Sequence, residues 1–411
     1  MLHTPQVDDK NYNIYNQYGN NPMPPVGPVG IIPLVGSAAF ATRVNDNLLR
    51  RRTEYQEMRP EVGDVYPGFI RHDYRIGVEN IRFSSGEGKA VISSTVRGHD
   101  VFLISDIVNH SCTYTMYGYA NHMSPDDHYQ DLKRVILAIS GKARRINVIM
   151  PFLYESRQHK RNARESLDCA HMLEELYDLG VANIITFDAH DERVANAIPT
   201  SGFESIPAAY QIIKALIRTA PDIRITEGKL MIVSPDEGGI SRAMYYASML
   251  GVPLGTFYKR RDYTQVINGR NPIIAHEFLG ESVEDMDILI VDDMISSGES
   301  MLDLARELKE RKARRIFAAV TFGLFTDGVD NFQKAYEEGM IDRVFATNLI
   351  YRPPELLTAS WFVDVNMAKF VALLIDAINH DASLSSLIDP TEKIRKLLEN
   401  YRKGILPQPT L

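Results

Sequence analysis

Six short aliphatic runs constrain this chain more than anything else in it: VFLIS at 101–105, INVIM at 146–150, NIITF at 183–187, LMIVS at 230–234, ILIV at 288–291 and RIFAAVTF at 315–322. None alternates apolar with polar residues, so each needs burial on both faces. Between them lie segments of helical period, such as Leu167–Leu179 and Met301–Lys312, where Met301, Leu302, Ala305 and Leu308 mark one face. Continuous strands separated by helices read as an α/β protein with a parallel sheet covered on both sides. The pattern strand, polar turn, helix occurs twice, at NIITFDAHDERV and at ILIVDDMISSGES. With 411 residues, and domains of about 150 residues as the usual size, two tandem doubly wound parallel-sheet domains account for the pattern. The division falls near SGFESIPA at 201–208, giving domains at 30–205 and 206–411. Residues 1–29 are rich in Asn, Pro, Gly and Tyr without hydrophobic period. They read as a flexible tail, or as an arm whose tyrosines anchor on a neighbouring subunit.

The formal net charge is −8 and no long basic run occurs, so the electrostatic footprint of a nucleic-acid binder is missing. Apolar runs such as Ile31–Val35 and Phe370–Ile375 are far shorter than a membrane span, and the N-terminus lacks a basic-then-apolar pattern. Two cysteines, Cys112 and Cys169, stand without metal-ligand spacing and point to a reducing compartment. The expectation is a cytoplasmic protein with no membrane or nucleic-acid partner. Anionic small molecules stay open, because local basic clusters bind them inside an acidic protein.

In open α/β sheets ligands collect at the carboxyl ends of strands. ILIV is followed there by Asp292 and Asp293, then by Ser296, Ser297, Gly298 and Ser300 ahead of a helix. Backbone N–H groups of small residues at a helix N-terminus cradle phosphate. Adjacent carboxylates repel phosphate but accept hydrogen bonds from sugar hydroxyls or hold magnesium. An ordinary helix cap with acidic residues in its first turn is the competing reading, but a cap needs one such residue rather than two aspartates and four small ones.

A hydrophobic strand, two acidic residues and a small-residue loop resemble the phosphoribosyl-pyrophosphate motif of type I phosphoribosyltransferases. Further segments narrow the resemblance to ribose-phosphate diphosphokinase, the PRPP synthetase family: RFSSGEGKAVISSTVRGHDVFLIS at 82–105, MPFLYESRQHKR at 150–161, FDAHDERVANAI at 187–198, SPDEGGISRA at 234–243 and FYKRRDYTQV at 257–266. They run in family order from Ile31 to about Asp389. The resemblance implies two domains of phosphoribosyltransferase type, ATP on the first and ribose 5-phosphate on the second, with magnesium as cofactor. It implies transfer of a pyrophosphoryl group from ATP to the anomeric hydroxyl of ribose 5-phosphate, giving PRPP and AMP. A non-catalytic subunit that regulates an active synthetase is the alternative.

The same resemblance assigns roles. Lys259 and Arg261 become the cations of a closing loop over the transition state, where a solvated basic turn is the plain reading of three adjacent cations. Arg157 and Gln158 contact ATP. Phe83 stacks on the adenine of a neighbouring subunit with Glu87 bonding nearby, although a lone Phe in a β-rich stretch is otherwise more often core. His190 approaches magnesium, through water rather than by tight ligation since histidine is soft for that ion; a polar turn capping a helix is the alternative. Asp236 becomes a metal- or ribose-binding aspartate. Adenine shared between subunits implies a homo-oligomer built from dimers, and the family commonly forms hexamers. The chain departs from the family pattern at Ser85, His159, Ser296 and Glu299, and the segment 107–129 is longer than expected. A carboxylate at Glu299 beside a phosphate costs about 1 kcal/mol at ~4 Å in high dielectric, unless the side chain faces solvent.

Overall fold

The computed structural model describes residues 24–161, 163–261 and 273–408. All six aliphatic runs become strands of parallel sheets, sealed almost throughout from solvent. The chain divides into two units, 1–207 with 349–351 and 367–389, and 208–348 with 352–366 and 390–411. The first cut falls between Pro207 and Ala208, and the first unit also contains the helix Ala368–Asn379.

The strands of the first unit are β1 (Val29–Pro33), β2 (Val78–Arg82), β3 (Gly88–Ile92), β4 (Asp100–Ile104), β5 (Thr113–Met116), β6 (Tyr119–His122), β7 (Arg145–Ile149), β8 (Asn183–Phe187) and β9 (Gly202–Ile206). Its sheet runs β1-β4-β7-β8-β9, every pair parallel, and β2–β3 and β5–β6 are separate antiparallel hairpins. Residues 1–23 of the expected tail lie outside the described residues, and its last residues are already tied down. Val26 N–H donates to Asn379 O at 2.7 Å, and Val29 begins β1.

The second unit contributes β10 (Leu230–Ser234), β11 (Leu254–Arg261), β12 (Ile273–Leu279), β13 (Asp287–Ile295), β14 (Arg315–Gly323), β15 (Arg343–Thr347) and β16 (Phe362–Val365). The order is β12-β11-β10-β13-β14-β15-β16, parallel except for β11–β12. From β10 the chain builds outward first to one side and then, from β13, to the other. This reversal marks a doubly wound sheet and opens a crevice at the carboxyl ends of β10 and β13. No helix of the described residues is long and apolar enough to cross a membrane.

A buried polar network explains why helix Ala368–Asn379 belongs to the first unit. Asp376, fully buried, accepts from Arg52 Nε at 3.1 Å and Arg51 Nε at 2.7 Å. Arg52 also donates to Phe69 O and Asn379 Oδ1, and Asn379 Nδ2 donates to Asp100 Oδ2 at 3.0 Å. Arg145 holds the Asp100 carboxylate with two bonds of 2.9 and 2.8 Å. Burial pushes the Asp376 carboxyl up, but the charges of Arg52 and Arg51 outweigh it and hold it well below the usual carboxylate range. Its stabilisation is therefore present at neutral pH and lost only as the pH falls through the folded-state value.

Removing one partner from such a network strands a buried charge, so Asp376→Ala costs about 3–5 kcal/mol. Urea unfolding checks this; a loss below about 1 kcal/mol would show that the pair behaves like a surface salt bridge.

Candidate active site

The second unit's site grows from the end of β13. Sequence reading ends the strand at Val291, but pairing with β14 continues to Ile295↔Gly323 and includes Asp292↔Val320. The long apolar β14 supplies a partner for backbone that the aspartates' polarity had marked as turn. As a result Asp292 and Asp293 stand on strand, with their carboxyl groups close enough to interact with each other. Asp293 is 5% exposed, while the Asp292 side chain keeps 27%.

Asp292 Oδ1 accepts the N–H of Asp293 at 2.8 Å. Burial and the neighbouring Asp293 charge push the Asp292 carboxyl up to about 7, against a weaker pull from Arg242, whose Nη1 lies 4.0 Å away. Arg242 was missed by the sequence reading although it stands in the quoted SPDEGGISRA. The signal was there: a cation in the first turn of helix Ile240–Leu250 opposes the helix dipole and calls for another reason to be present. The loop after β10 lies beside Asp292, since a Cβ on Gly239 would stand 3.8 Å from its Oδ1. Asp236, in that loop, accepts Gly239 N–H at 3.2 Å, while its own carbonyl accepts from Ser234 Oγ.

Ser296 and Ser297 are half-buried and lead into Gly298, the N-cap of helix Glu299–Glu310. The first helical bond runs from Leu302 N–H to Gly298 O at 3.0 Å, so the N–H groups of 299–301 have no partner within the helix. Gly298 has φ 88°, and a Cβ there would strike the Phe332 ring at 2.2 Å. Only glycine fits both conditions. Ser300 falls in the first helical turn, and Glu299 is exposed to solvent. The structure thus brings together Asp236, Arg242, Asp292, Asp293 and the Ser296–Ser300 bend.

Lys259 and Arg261 do not fall in a connecting loop. Their backbone belongs to β11, paired antiparallel with β12 as Lys259↔His276 and Arg261↔Ile273, with a register shift between Arg260 and Arg261. Their side chains and residues 262–272 lie outside the described part.

In the first unit the segment after β7 and the turn after β8 meet. The rings of His159 and His190 are 5.2 Å apart, and His159 Nε2 lies 3.5 Å from Asp191 Oδ2. Bonding from Arg193 holds Asp191 down at about 2. Arg157 and His190 are exposed and Gln158 half-buried. Phe83, 48% exposed, and Glu87 sit on the β2–β3 loop, where Phe83 N–H donates to Glu87 O and Ser85 Oγ to the Glu87 carboxylate at 2.8 Å. Lys89 Nζ lies 5.8 Å from the Phe83 ring centre. His190 and Asp236, the expected metal residues, belong to different units.

Residues 70–180 match the family described as the N-terminal domain of ribose phosphate pyrophosphokinase, and residues 199–346 match the phosphoribosyl transferase domain. The Mycoplasma pneumoniae ribose-phosphate pyrophosphokinase is 30% identical over 271 residues, 65% of this chain and 74% of that one. The chain belongs to the ribose-phosphate pyrophosphokinase family. The Vibrio cholerae pyrophosphokinase is 29% identical over 314 residues, covering 75% of this chain and 90% of its own. Among solved structures, phosphoribosylpyrophosphate synthetase from Mycobacterium smegmatis matches with a TM-score of 0.66 at 19% identity, covering 86% of this chain and 99% of that one. It shares the fold of this pyrophosphokinase-family chain.

Gly298→Ala combines a left-handed φ, worth about 1–2 kcal/mol, with overpacking against Phe332, about 1–3 kcal/mol. We expect a urea-midpoint shift corresponding to roughly 2–5 kcal/mol; an unchanged midpoint would mean the bend is not held as described.

Proposed function

We propose that the chain is an active ribose-phosphate pyrophosphokinase that makes PRPP and AMP from ribose 5-phosphate and ATP. One observation carries the reading. At the strand-order reversal of the second unit, paired carboxylates at the end of β13 adjoin a small-residue bend at a helix N-terminus. Donors for a phosphate and acceptors for ribose hydroxyls then stand side by side, which is what ribose 5-phosphate requires.

In this reading the N–H groups of the Ser296–Ser300 bend hold the 5-phosphate, and Asp292 and Asp293 orient the ring hydroxyls. The anomeric oxygen forms a bond to the β-phosphorus of ATP. The bond from that phosphorus to the oxygen bridging the α-phosphate breaks, AMP departs with the bridging oxygen, and the attacking hydroxyl gives up its proton. Charge gathers on phosphoryl oxygens, so positioning and cations do most of the catalysis. Lys259 and Arg261 supply two such cations, Arg157 and Gln158 hold the nucleotide, and Phe83 and Glu87 serve the adenine of a neighbouring subunit in a dimer-based homo-oligomer.

Magnesium, when bound, neutralises the phosphates. The donors fit it: magnesium takes one or two carboxylates together with phosphates and water, and the loop of Asp236 stands beside Asp292. Asp236 is the hard oxygen donor suited to it, and His190 suits a contact through water.

Pure protein incubated with ribose 5-phosphate, ATP and magnesium should release AMP and PRPP in equal amounts; a folded, ATP-binding protein that releases none is instead a regulatory subunit. Because an ionised carboxylate accepts from hydroxyls on both oxygens and more strongly than a protonated one, and the Asp292 carboxyl sits at about 7, kcat/KM for ribose 5-phosphate should climb as the pH rises through ~7. Asp292→Asn should flatten that limb at a lower level, and a variant with the wild-type limb would assign it to another group. Lys259→Ala should depress kcat much more than it raises the KM for ATP, since a cation used at the transition state adds little to ground-state binding; equal kcat would remove Lys259 from this role.

A further inference from the structure

The β5–β6 hairpin falls in the segment 107–129 that is longer than the family pattern, and the proposed reaction uses none of it. Met116↔Tyr119 pairing leaves Tyr117 and Gly118 as a two-residue turn with φ 49° and 81°, the paired positive values of a type I′ hairpin. At the base, Met123 N–H donates to Cys112 O at 2.9 Å and His122 Nδ1 lies 2.7 Å from His110 O. The tip is open to solvent, with Tyr117 and Tyr119 each 75% exposed.

Below the tip, the hairpin is fastened to the loop that carries Phe83 and Glu87. Tyr117 N–H donates to Ser84 O at 2.8 Å. Met116 Sδ stands 2.6 Å from where a Cβ on Gly86 would lie, so the sulfur rests directly on that glycine. Arg82 stacks at 5.0 Å over the Tyr114 ring while Asp131 holds its guanidinium at 2.6 and 3.0 Å. Residues 82, 84 and 86 are thus each gripped by the hairpin region, and Phe83 stays exposed between two of them. A short exposed loop left to itself samples several conformations, and ordering it on binding reduces affinity.

We propose that the β5–β6 hairpin pre-forms the Phe83–Glu87 loop for nucleotide binding, with Met116 and Tyr117 as positioning residues that act through the loop and do not touch the base. This rests on the assignment of Phe83 and Glu87 to ATP. Met116→Ala removes the sulfur from Gly86, and Tyr117→Pro, whose ring lacks the N–H and excludes the φ of 49°, dismantles the turn that donates to Ser84; either variant serves if the other fails to fold. Two readouts are taken on the intact enzyme: amide hydrogen exchange of residues 83–87 without nucleotide, and the separate KM values for ATP and ribose 5-phosphate. Expected are faster exchange confined to this loop and a KM for ATP raised about tenfold, equivalent to ~1.4 kcal/mol, with kcat and the ribose 5-phosphate KM unchanged. Unchanged exchange overturns the brace. Faster exchange with an unchanged KM for ATP overturns the nucleotide role of the loop, while AMP formation by the wild-type enzyme still stands. A rise in both KM values together overturns positioning in favour of general destabilisation.

Discussion

A parallel strand sealed on both faces tolerates charge only where the sheet ends, and that constraint organises both units. β4, β8, β10 and the first five residues of β13 have almost no exposed residue, so the polar groups of the chain are displaced to the turns that follow. The same turns are where helices begin and unpaired N–H groups accumulate. Acceptors for hydroxyls and donors for phosphate are in this way placed together by the economy of the sheet before any ligand is considered. In the second unit the reversal between β10 and β13 spreads the helices apart at that edge, leaving the loop of Asp236 and the bend of Ser296–Ser300 on either side of Asp292.

Charge buried away from the strand ends follows another rule. Arg52 and Asp376 sit at 0% exposure, and neither would be tolerated alone. Together with Asn379, Asp100 and Arg145 they form a satisfied network that fixes which unit the helix Ala368–Asn379 packs on. A purely apolar helix face could slide against its neighbours; one whose Asp376 and Asn379 both bond Arg52 cannot. Specificity of docking is thus a sufficient reason for this network.

The strands and the alternation of strand with helix were legible because burial on two faces leaves an unmistakable composition. The bend after β13 was legible because two aspartates and four small residues exceed what a cap needs. What escaped was whatever depends on a distant partner. Asp376 reads from sequence as a single charge in an apolar helix, with nothing to say that Arg52, 324 residues earlier, receives it. The extension of β13 past Val291 depended on β14 offering backbone to pair with, and the placement of Lys259 and Arg261 on β11 depended on β12 folding back alongside. The Phe83–Glu87 loop was visible as a motif, but the contacts that fasten the hairpin to it, from Met116 to Gly86 and from Tyr117 to Ser84, depend on pairing that the sequence does not display.

Asp292 shows why a site assembled by these rules carries tension. Its carboxyl is raised to about 7 chiefly by burial and by Asp293. Between the ordinary carboxylate value and ~7 the folded chain holds a proton that the unfolded chain has lost, so stability falls as the pH rises through that interval. The fold would be better served by an uncharged residue. Hydroxyl groups arriving as donors supply what the desolvated carboxylate lacks, and Arg242 at 4.0 Å is near enough to moderate the charge without neutralising it. A fully formed ion pair would satisfy the carboxylate and leave less to be gained from hydroxyl donors. The loose arginine contact therefore leaves the Asp292 carboxylate able to gain from hydroxyl donors, the role we propose for it toward the sugar.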